Sequence, residues 1–258
     1  MSEILTERSG SILRVTVNRP EKKNAMTSAM YNALADAFND AAKDGDVRVV
    51  LWDSAGDSFS AGNDMEDFMQ HPPGEGESPQ SHLVNSLLNL YKPVIAAVHG
   101  VAIGGGTTLL THCDFVYAGE SAKFQLPFVN LALVPEFGSS WSLPTRSGYI
   151  RAAELFMLGQ PFDARHAAEI GLVTRVVPDE KLQETATETA QRLAAKPTGA
   201  LQACKRLLKR SSREQVEQAM KAEIEEFAAR VRGEEAREAF SAFLEKRKPD
   251  FTKHATVK

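Results

Sequence analysis

Two stretches of this chain, VRVVLWDS (residues 47–54) and PVIAAVHG (93–100), are apolar at almost every position. A strand with one face in water alternates apolar and polar residues, whereas a strand covered on both faces has no reason to alternate. Two such runs therefore demand a sheet with helices packed on both sides. FVYAG (115–119) and VTRVVP (173–178) read as shorter strands of the same kind. ILRVTVNRP differs: Leu13, Val15 and Val17 fall on one face and Pro20 ends the run. Between the strands, Met30, Leu34, Phe38 and Ala41 recur at helical spacing behind Thr27, a side chain suited to capping a helix start. Strands alternating with helices over the first 180 residues make the fold class α/β.

Composition bounds the function. Hydrophobic residues at 43% and charged residues at 25% suit a well-filled core. A net charge of −4 disfavours a general nucleic-acid binder but allows a local basic pocket. Two cysteines, Cys113 and Cys204, build no disulfide framework and favour a reducing compartment. With no leader-like start and no bilayer-length apolar run, the expectation is a soluble cytoplasmic protein without membrane or nucleic-acid partners.

Residues 66–82, EDFMQHPPGEGESPQSH, interrupt the pattern and read first as a solvated loop; the sharper alternative is a mobile lid, because the segment directly follows FSAGND. From about residue 198 the chain becomes helical and charge-rich. Val216, Met220, Ile224, Phe227 and Val231 form one apolar stripe there. Lys205, Arg206, Lys209, Arg210 and Arg213 cluster in CKRLLKRSSR and read as solvated, partly subunit-facing surface rather than an RNA patch.

Three consecutive glycines, Gly104, Gly105 and Gly106, stand between VIAAVHGVAI and the helical-looking TTLLTHC. A phosphate-binding P-loop needs Gly-Lys-Ser/Thr, but Thr107 and Thr108 follow. A dinucleotide fingerprint needs Gly-x-Gly-x-x-Gly, and GVAIGGG is not one. What remains is a backbone N–H at a helix start, bare of Cβ, aimed at a developing oxyanion. Tight packing of helix on strand accounts for one glycine more readily than for three. FSAGND (59–64) is a second turn of small residues, and Ser60 is no nucleophile elbow because Ser58 stands where that motif has glycine.

Five segments, NRPEKKNAM, DSFSAGNDM, KPVIAAVHGVAIGGG, CDFVYAGESAKFQLPFVNLALVPEFGSSWSLPTRSG and FDARHAAEIGLVTRVVP, occur in the order and spacing of the crotonase, or enoyl-CoA hydratase/isomerase, family. The chain resembles that family over nearly its whole length. The resemblance implies a ClpP-like spiral of ββα units over residues 1–197. It also implies a helical region, 198–258, that builds homotrimers or dimers of trimers. It implies acyl-CoA thioester substrates with no separate cofactor, coenzyme A being part of the substrate. By motif match, the backbone N–H groups of Asn63 and Gly105 are the expected oxyanion donors. Lys22 and Lys23, Ala61, Asp64, Gly104 and Phe128 are expected along the thioester. Lys246, in FLEKRKPDF, is the expected contact to the nucleotide of a neighbouring subunit.

Hydratases of this family place two glutamates around one water, three residues after the middle glycine and directly after a later proline. Those places hold Thr108 and Phe128 here, and neither is a carboxylate. Glu136 in LVPEFGSS lies eight residues past Phe128, and the peroxisomal-type Δ3,Δ2-enoyl-CoA isomerases look similar there, with that glutamate as sole acid/base. One carboxylate suffices for moving a proton from C2 to C4 of a dienolate, and Phe128, Val134, Phe137 and Trp141 are the apolar neighbours expected to desolvate it. The readings left open are enoyl-CoA hydratase or another crotonase-type reaction, and an acyl-CoA-binding paralogue without catalysis. His99, His112, Cys113 and Asp114 are expected to be structural, His71 and His82 solvated, and no spacing suggests a metal site.

Overall fold

The computed structural model describes residues 2–70 and 78–253. Its strands are β1 (Ile4–Ser9), β2 (Ile12–Val17), β3 (Val49–Ser54), β4 (Val94–Val98), β5 (Val101–Ile103), β6 (Phe115–Gly119), β7 (Lys123–Gln125), β8 (Phe162–Asp163) and β9 (Arg175–Val177). The larger sheet runs β1-β2-β3-β4-β6-β9, antiparallel at the β1–β2 hairpin and parallel from β2 onward. β3 and β4 are buried at every position. The pleat explains why both are apolar on both faces. Val50, Trp52, Val94, Ala96 and Val98 enter one hydrophobic cluster. Val49, Leu51, Ile95 and Ala97 enter a second, on the opposite face. Each such fully buried large side chain contributes about 1.5–3 kcal/mol of burial free energy.

α1 (Ser28–Lys43) and α3 (Pro79–Asn89) pack against each other over the first cluster. The Thr27 side chain caps α1 by accepting the Met30 N–H, and Leu34 and Phe38 are fully buried. α8 (Leu182–Ala194) covers the opposite face with Leu182, Ala186 and Ala190.

β5, β7 and β8 form a smaller sheet. Single bridges, Met26 with Asn63 and Ser60 with Ala102, extend it into the turns that follow β2 and β3. Each unit thus runs from a long strand to a short extended segment to a helix. β2 leads through Met26 to α1. β3 leads through residues 60–63 to α2 (Met65–Gln70) and α3. β4 leads through β5 to α4 (Gly105–Thr108). β6 leads through β7 towards α5 (Ser139–Ser147). This is the expected ββα spiral.

Several expectations change. The helix after the glycines is one α-turn that tightens into a 3-10 turn over Leu109–His112. Residues 66–82 are not one loop: α2 occupies Met65–Gln70 with Phe68 buried, α3 begins at Pro79, and residues 71–77, with His71, lie outside the described residues. His82 is no free loop side chain, because its ring nitrogens meet Asn32 and Asn39 of α1.

α6 (Tyr149–Ala153) and α7 (Ala164–Glu169) lie between α5 and α8, and the chain closes with α9 (Thr198–Arg210), α10 (Arg213–Val231) and α11 (Glu234–Leu244). On α10 the buried stripe is Val216, Met220, Glu223, Phe227 and Val231, so a carboxylate holds the place expected for Ile224, which is half-exposed. No separate core begins at 197/198, for the first cluster runs from Val15 to Phe240. Phe68 sits edge-on to both Phe227 and Phe240, at 5.9 and 6.1 Å. Part of the basic cluster is tied to the body of the protein, while Arg206 and Arg210 are exposed. Lys205 is buried and pairs with Asp114 at 2.6 Å, Lys209 donates to the His112 carbonyl, and Arg213 reaches Asn89 and Tyr91.

Among the described residues no helix is long and apolar enough to cross a membrane.

Candidate active site

The three glycines have three different reasons. Gly104 has φ 53 with ψ −118, a backbone conformation that side chains disfavour. Gly106 abuts the Ser60 carbonyl, 2.8 Å from where a Cβ would stand, which is packing. A Cβ on Gly105 would lie 3.0 Å from both Oε1 of Glu136 and the hydroxyl of Tyr31. Gly105 therefore marks the point where three separate segments converge.

The FSAGND turn meets the same point. The Ser60 N–H donates to the Val101 carbonyl and the Ile103 N–H to the Ser60 carbonyl, which zips the two turns together. A Cβ on Gly62 would lie 3.8 Å from the Gly105 nitrogen. The Met26 and Asp64 N–H groups bond on either side of Asn63, to Gly62 and Met26 carbonyls. The N–H groups of Asn63 and Gly105 find no acceptor among the described residues.

Glu136 sits between Leu133, on the cavity wall, and the start of α5. The next two residues, Phe137 and Gly138, are both left-handed, with φ 61 and 70. Such a turn is held from outside. His112 donates from Nε2 to the Phe137 carbonyl at 2.7 Å, and since a carbonyl only accepts, Nε2 carries the proton. Burial pushes the His112 pKa down to about 3, so the ring stays neutral. Glu223 accepts the N–H groups of Gly138 and Ser140. Oε1 of Glu136 is buried without a hydrogen-bond partner among the described residues. Burial first, and the negative charge of Glu223 second, raise the Glu136 pKa to about 8.

A cavity of about 620 Å³ opens over this point. Asn63, Gly105 and Glu136 lie at one end, while Lys22, Ala61, Arg247 and Pro249 are among its other walls. Phe128 is part of the wall and packs on Phe156, at a ring separation of 6.3 Å. Gly104 and Asp64 also line the cavity, but the Asp64 carboxylate is already committed. It pairs with Arg19 at 2.7 Å and accepts the Glu66 and Asp67 N–H groups at the start of α2. Burial pushes the Asp64 pKa up, yet these donors outweigh it and hold the group below the usual carboxylate range.

Three other expected residues lie off this cavity's wall. Lys23 is exposed and off the cavity wall; its backbone is left-handed and its carbonyl accepts the Ala61 N–H. Lys246, expected at the nucleotide of a neighbouring subunit, is exposed and off this chain's own wall, while the segment around it lines this cavity through Phe243, Leu244 and Arg247. Arg247 is steadied by Glu238, with Nη2 to Oε2 at 2.9 Å. Trp141 does not adjoin Glu136 but lines a separate cavity beside α9.

Tyr31 and Glu223 were not legible as site residues. Tyr31 falls one place after Met30 on the buried face of α1, where an aromatic residue reads as core. The signal for Glu223 is an acid on an apolar helical stripe.

Residues 7–254 match the model of the family described as enoyl-CoA hydratase/isomerase. The chain belongs to this family. It is 36% identical to the 1,2-epoxyphenylacetyl-CoA isomerase of Escherichia coli (strain K12), over 98% of this chain and 99% of that protein. It is 33% identical to enoyl-CoA delta isomerase 2 of Rattus norvegicus, over 95% of this chain and 64% of that protein. Hydratases stand among its relatives as well as isomerases. The crystal structure of an enoyl-CoA hydratase/isomerase from Pseudoalteromonas atlantica T6c superposes with a TM-score of 0.93 at 37% identity, over 97% of this chain and all of that one. Family membership makes the protein an enzyme of the hydratase/isomerase type and accounts for the spiral that brings residues 60–63, 104–105 and 136 together.

Among the described residues no group of three or more His, Cys, Asp or Glu side chains is placed to hold a metal ion.

Proposed function

We propose that this enzyme shifts the double bond of a 3-enoyl-CoA to the 2 position, with Glu136 as the only acid/base. The thioester carbonyl accepts the N–H groups of Asn63 and Gly105. Glu136 in its carboxylate form removes a proton from C2, the charge spreads to the thioester oxygen, and the same carboxyl returns the proton at C4. Lys22 and Arg247, at the walls of the cavity, face the phosphates of coenzyme A, which needs positive charge even on an acidic protein.

One observation carries this reading: a buried carboxyl oxygen with no partner among the described residues lies beside the Gly105 backbone, while both hydratase positions lack a carboxylate. Thr108 is buried and its hydroxyl donates to the Gly104 carbonyl; Phe128 is hydrocarbon. Adding water takes a base for the nucleophile and an acid for the carbon, whereas a double-bond shift needs a single carrier. A carboxyl with a pKa near 8 is also a stronger base, once ionised, than an ordinary one.

Separate incubations with 3-hexenoyl-CoA and crotonyl-CoA test the proposal. The expected result is conversion of the first and no hydration of the second. Hydration of crotonyl-CoA favours the hydratase reading, and binding of both without turnover favours a non-catalytic acyl-CoA binder.

Assembly as a homotrimer or dimer of trimers belongs to the same proposal. Its support is the large apolar side chains left in water, among them Tyr149, Ile150, Leu207 and Leu208, at 71, 82, 69 and 75% exposure.

A further inference from the structure

We infer that Glu223 is a positioning residue for Glu136: a carboxylate delivered by α10 that clamps the turn behind Glu136 and, by holding negative charge there, favours the protonated form of Glu136. The inference rests on the acid/base reading of Glu136 given above.

The clamp is geometric. Oε2 of Glu223 accepts the Gly138 N–H at 2.6 Å and Oε1 accepts the Ser140 N–H at 2.8 Å. α10 also presses on the turn directly, since a Cβ on Gly138 would lie 2.8 Å from a methyl of Val216. Both carboxyl groups are nearly inaccessible and line one small cavity of about 90 Å³ with Asn63 and Phe68. Two buried acids this close do not both ionise readily. The hydrogen-bond donors decide which one keeps its proton. Burial raises the pKa of Glu223, but its two backbone N–H donors pull the other way and favour its anion, whereas Oε1 of Glu136 has no partner among the described residues, which favours the neutral acid.

Among the described residues no other group around Glu136 supplies this; Glu66 on α2, which also lines the larger cavity, is exposed and lies 3.9 Å from Lys22. Tyr31 on α1 is a phenol whose hydrogen goes to Asn63, and burial raises its pKa further. His112, behind the turn, is neutral. Asp64, before α2, is neutralised by Arg19. His82 on α3 is turned towards Asn32 and Asn39. Arg247, after α11, is a cation paired with Glu238 and brings no negative charge. α4 carries only glycine and threonine.

The experiment combines pH–rate profiles for 3-enoyl-CoA turnover by the wild type, Glu223→Gln and Glu223→Asp with carbon NMR titration of δ-labelled glutamate, the Glu136 signal being assigned by its loss in Glu136→Gln. The expected result is an ascending limb displaced to lower pH by about one unit or more in Glu223→Gln, with a lower plateau, because the repelling charge is gone. Glu223→Asp keeps the wild-type limb, as the charge remains. A residue that merely braces the fold lowers the plateau without moving the limb, and an unmoved limb overturns the inference. The NMR titration stands apart from the reaction. In the wild type Glu136 is expected to lose its proton at higher pH than Glu223, and the reverse order overturns the inference even if Glu223→Gln fails to fold. If the wild type turns over no 3-enoyl-CoA, the function proposal falls, while the titration still decides the Glu136–Glu223 relation.

Discussion

The phenol of Tyr31 gives its hydrogen to Oδ1 of Asn63 across 2.7 Å. That bond runs from the first turn of α1, on its core-facing side, to the turn whose backbone N–H is an expected oxyanion donor. It ties a side chain with no exposure to a backbone position that must hold its aim within a fraction of an ångström.

Tyr31→Phe removes the hydroxyl and leaves the Asn63 amide oxygen without this donor. The expected cost is about 1–3 kcal/mol of stability for the lost buried bond. The kcat for 3-enoyl-CoA is expected to fall by roughly tenfold or more, as a small displacement of an oxyanion donor costs rate steeply. Calorimetry and steady-state kinetics check both. Full activity in the folded variant would show that Asn63 is aimed by its backbone alone.

Glu136→Gln keeps size and burial but removes the proton carrier. The fold and acyl-CoA binding are expected to survive, with turnover lower by roughly 100-fold or more. In the wild type kcat/KM is expected to rise with pH and level off above about 8, where Glu136 becomes the carboxylate. The sign for stability is opposite. The folded pKa lies above the unfolded value, so the stability linked to this group is complete below the ordinary carboxylate range and is lost as pH rises through about 8. The Gln variant is thus expected to melt higher than the wild type at alkaline pH. Coincident melting curves at pH 9 would contradict burial of an ionisable group at this position.

The large elements and the two turns could be read from sequence for a common reason: each leaves a local trace. The unbroken apolar runs of β3 and β4 follow from burial on both faces, and the glycine run follows from close approach of backbone to its neighbours. Glu223 leaves no such trace at its own position. Its partners, Gly138 and Ser140, lie more than eighty residues away, and an acid in a charge-rich helix reads as solvated until the helix is docked. Lys205 misled for the same reason, because its partner Asp114 lies 91 residues away in the sequence. Lys246 and Arg247 are adjacent basic residues, and only the backbone path after α11 determines which of them meets the cavity. The reach of the C-terminal segment back over its own chain was likewise set by packing of Phe68 between Phe227 and Phe240 rather than by local pattern.

Adjacent glycines are expected to respond differently to the same methyl group. In Gly105→Ala the new Cβ falls 3.0 Å from Oε1 of Glu136 and from the Tyr31 hydroxyl, both ends of side chains able to yield a few tenths of an ångström. The protein is expected to fold with a stability loss of about 1 kcal/mol and to lose most activity, since the displaced groups are the reacting ones. In Gly106→Ala the Cβ falls 2.8 Å from the Ser60 carbonyl, which belongs to the backbone bridge between the two turns. That variant is expected to lose about 1–3 kcal/mol of stability. Comparing melting temperature with kcat for the pair separates packing from chemistry; equal losses of both in both variants would contradict the assignment of Gly105 to the site.

Lys205 donates to Asp114 at 2.6 Å and to the Lys92 carbonyl at 2.8 Å, and it is buried. Its partner also accepts the Val94 N–H, so the pair pins α9 to the start of β4. A buried ion pair is often no more stabilising than a well-packed hydrophobic replacement, but removing one member strands the other charge. Lys205→Met is therefore expected to destabilise the fold by about 3–5 kcal/mol, whereas Arg210→Met, one turn on and exposed, changes stability by less than about 0.5 kcal/mol. Replacing both Lys205 and Asp114, by Met and Asn, is expected to recover part of the loss because no uncompensated charge remains. Urea denaturation of the three variants checks the order, and equal midpoints for Lys205→Met and Arg210→Met would return the whole cluster to the status of solvated surface.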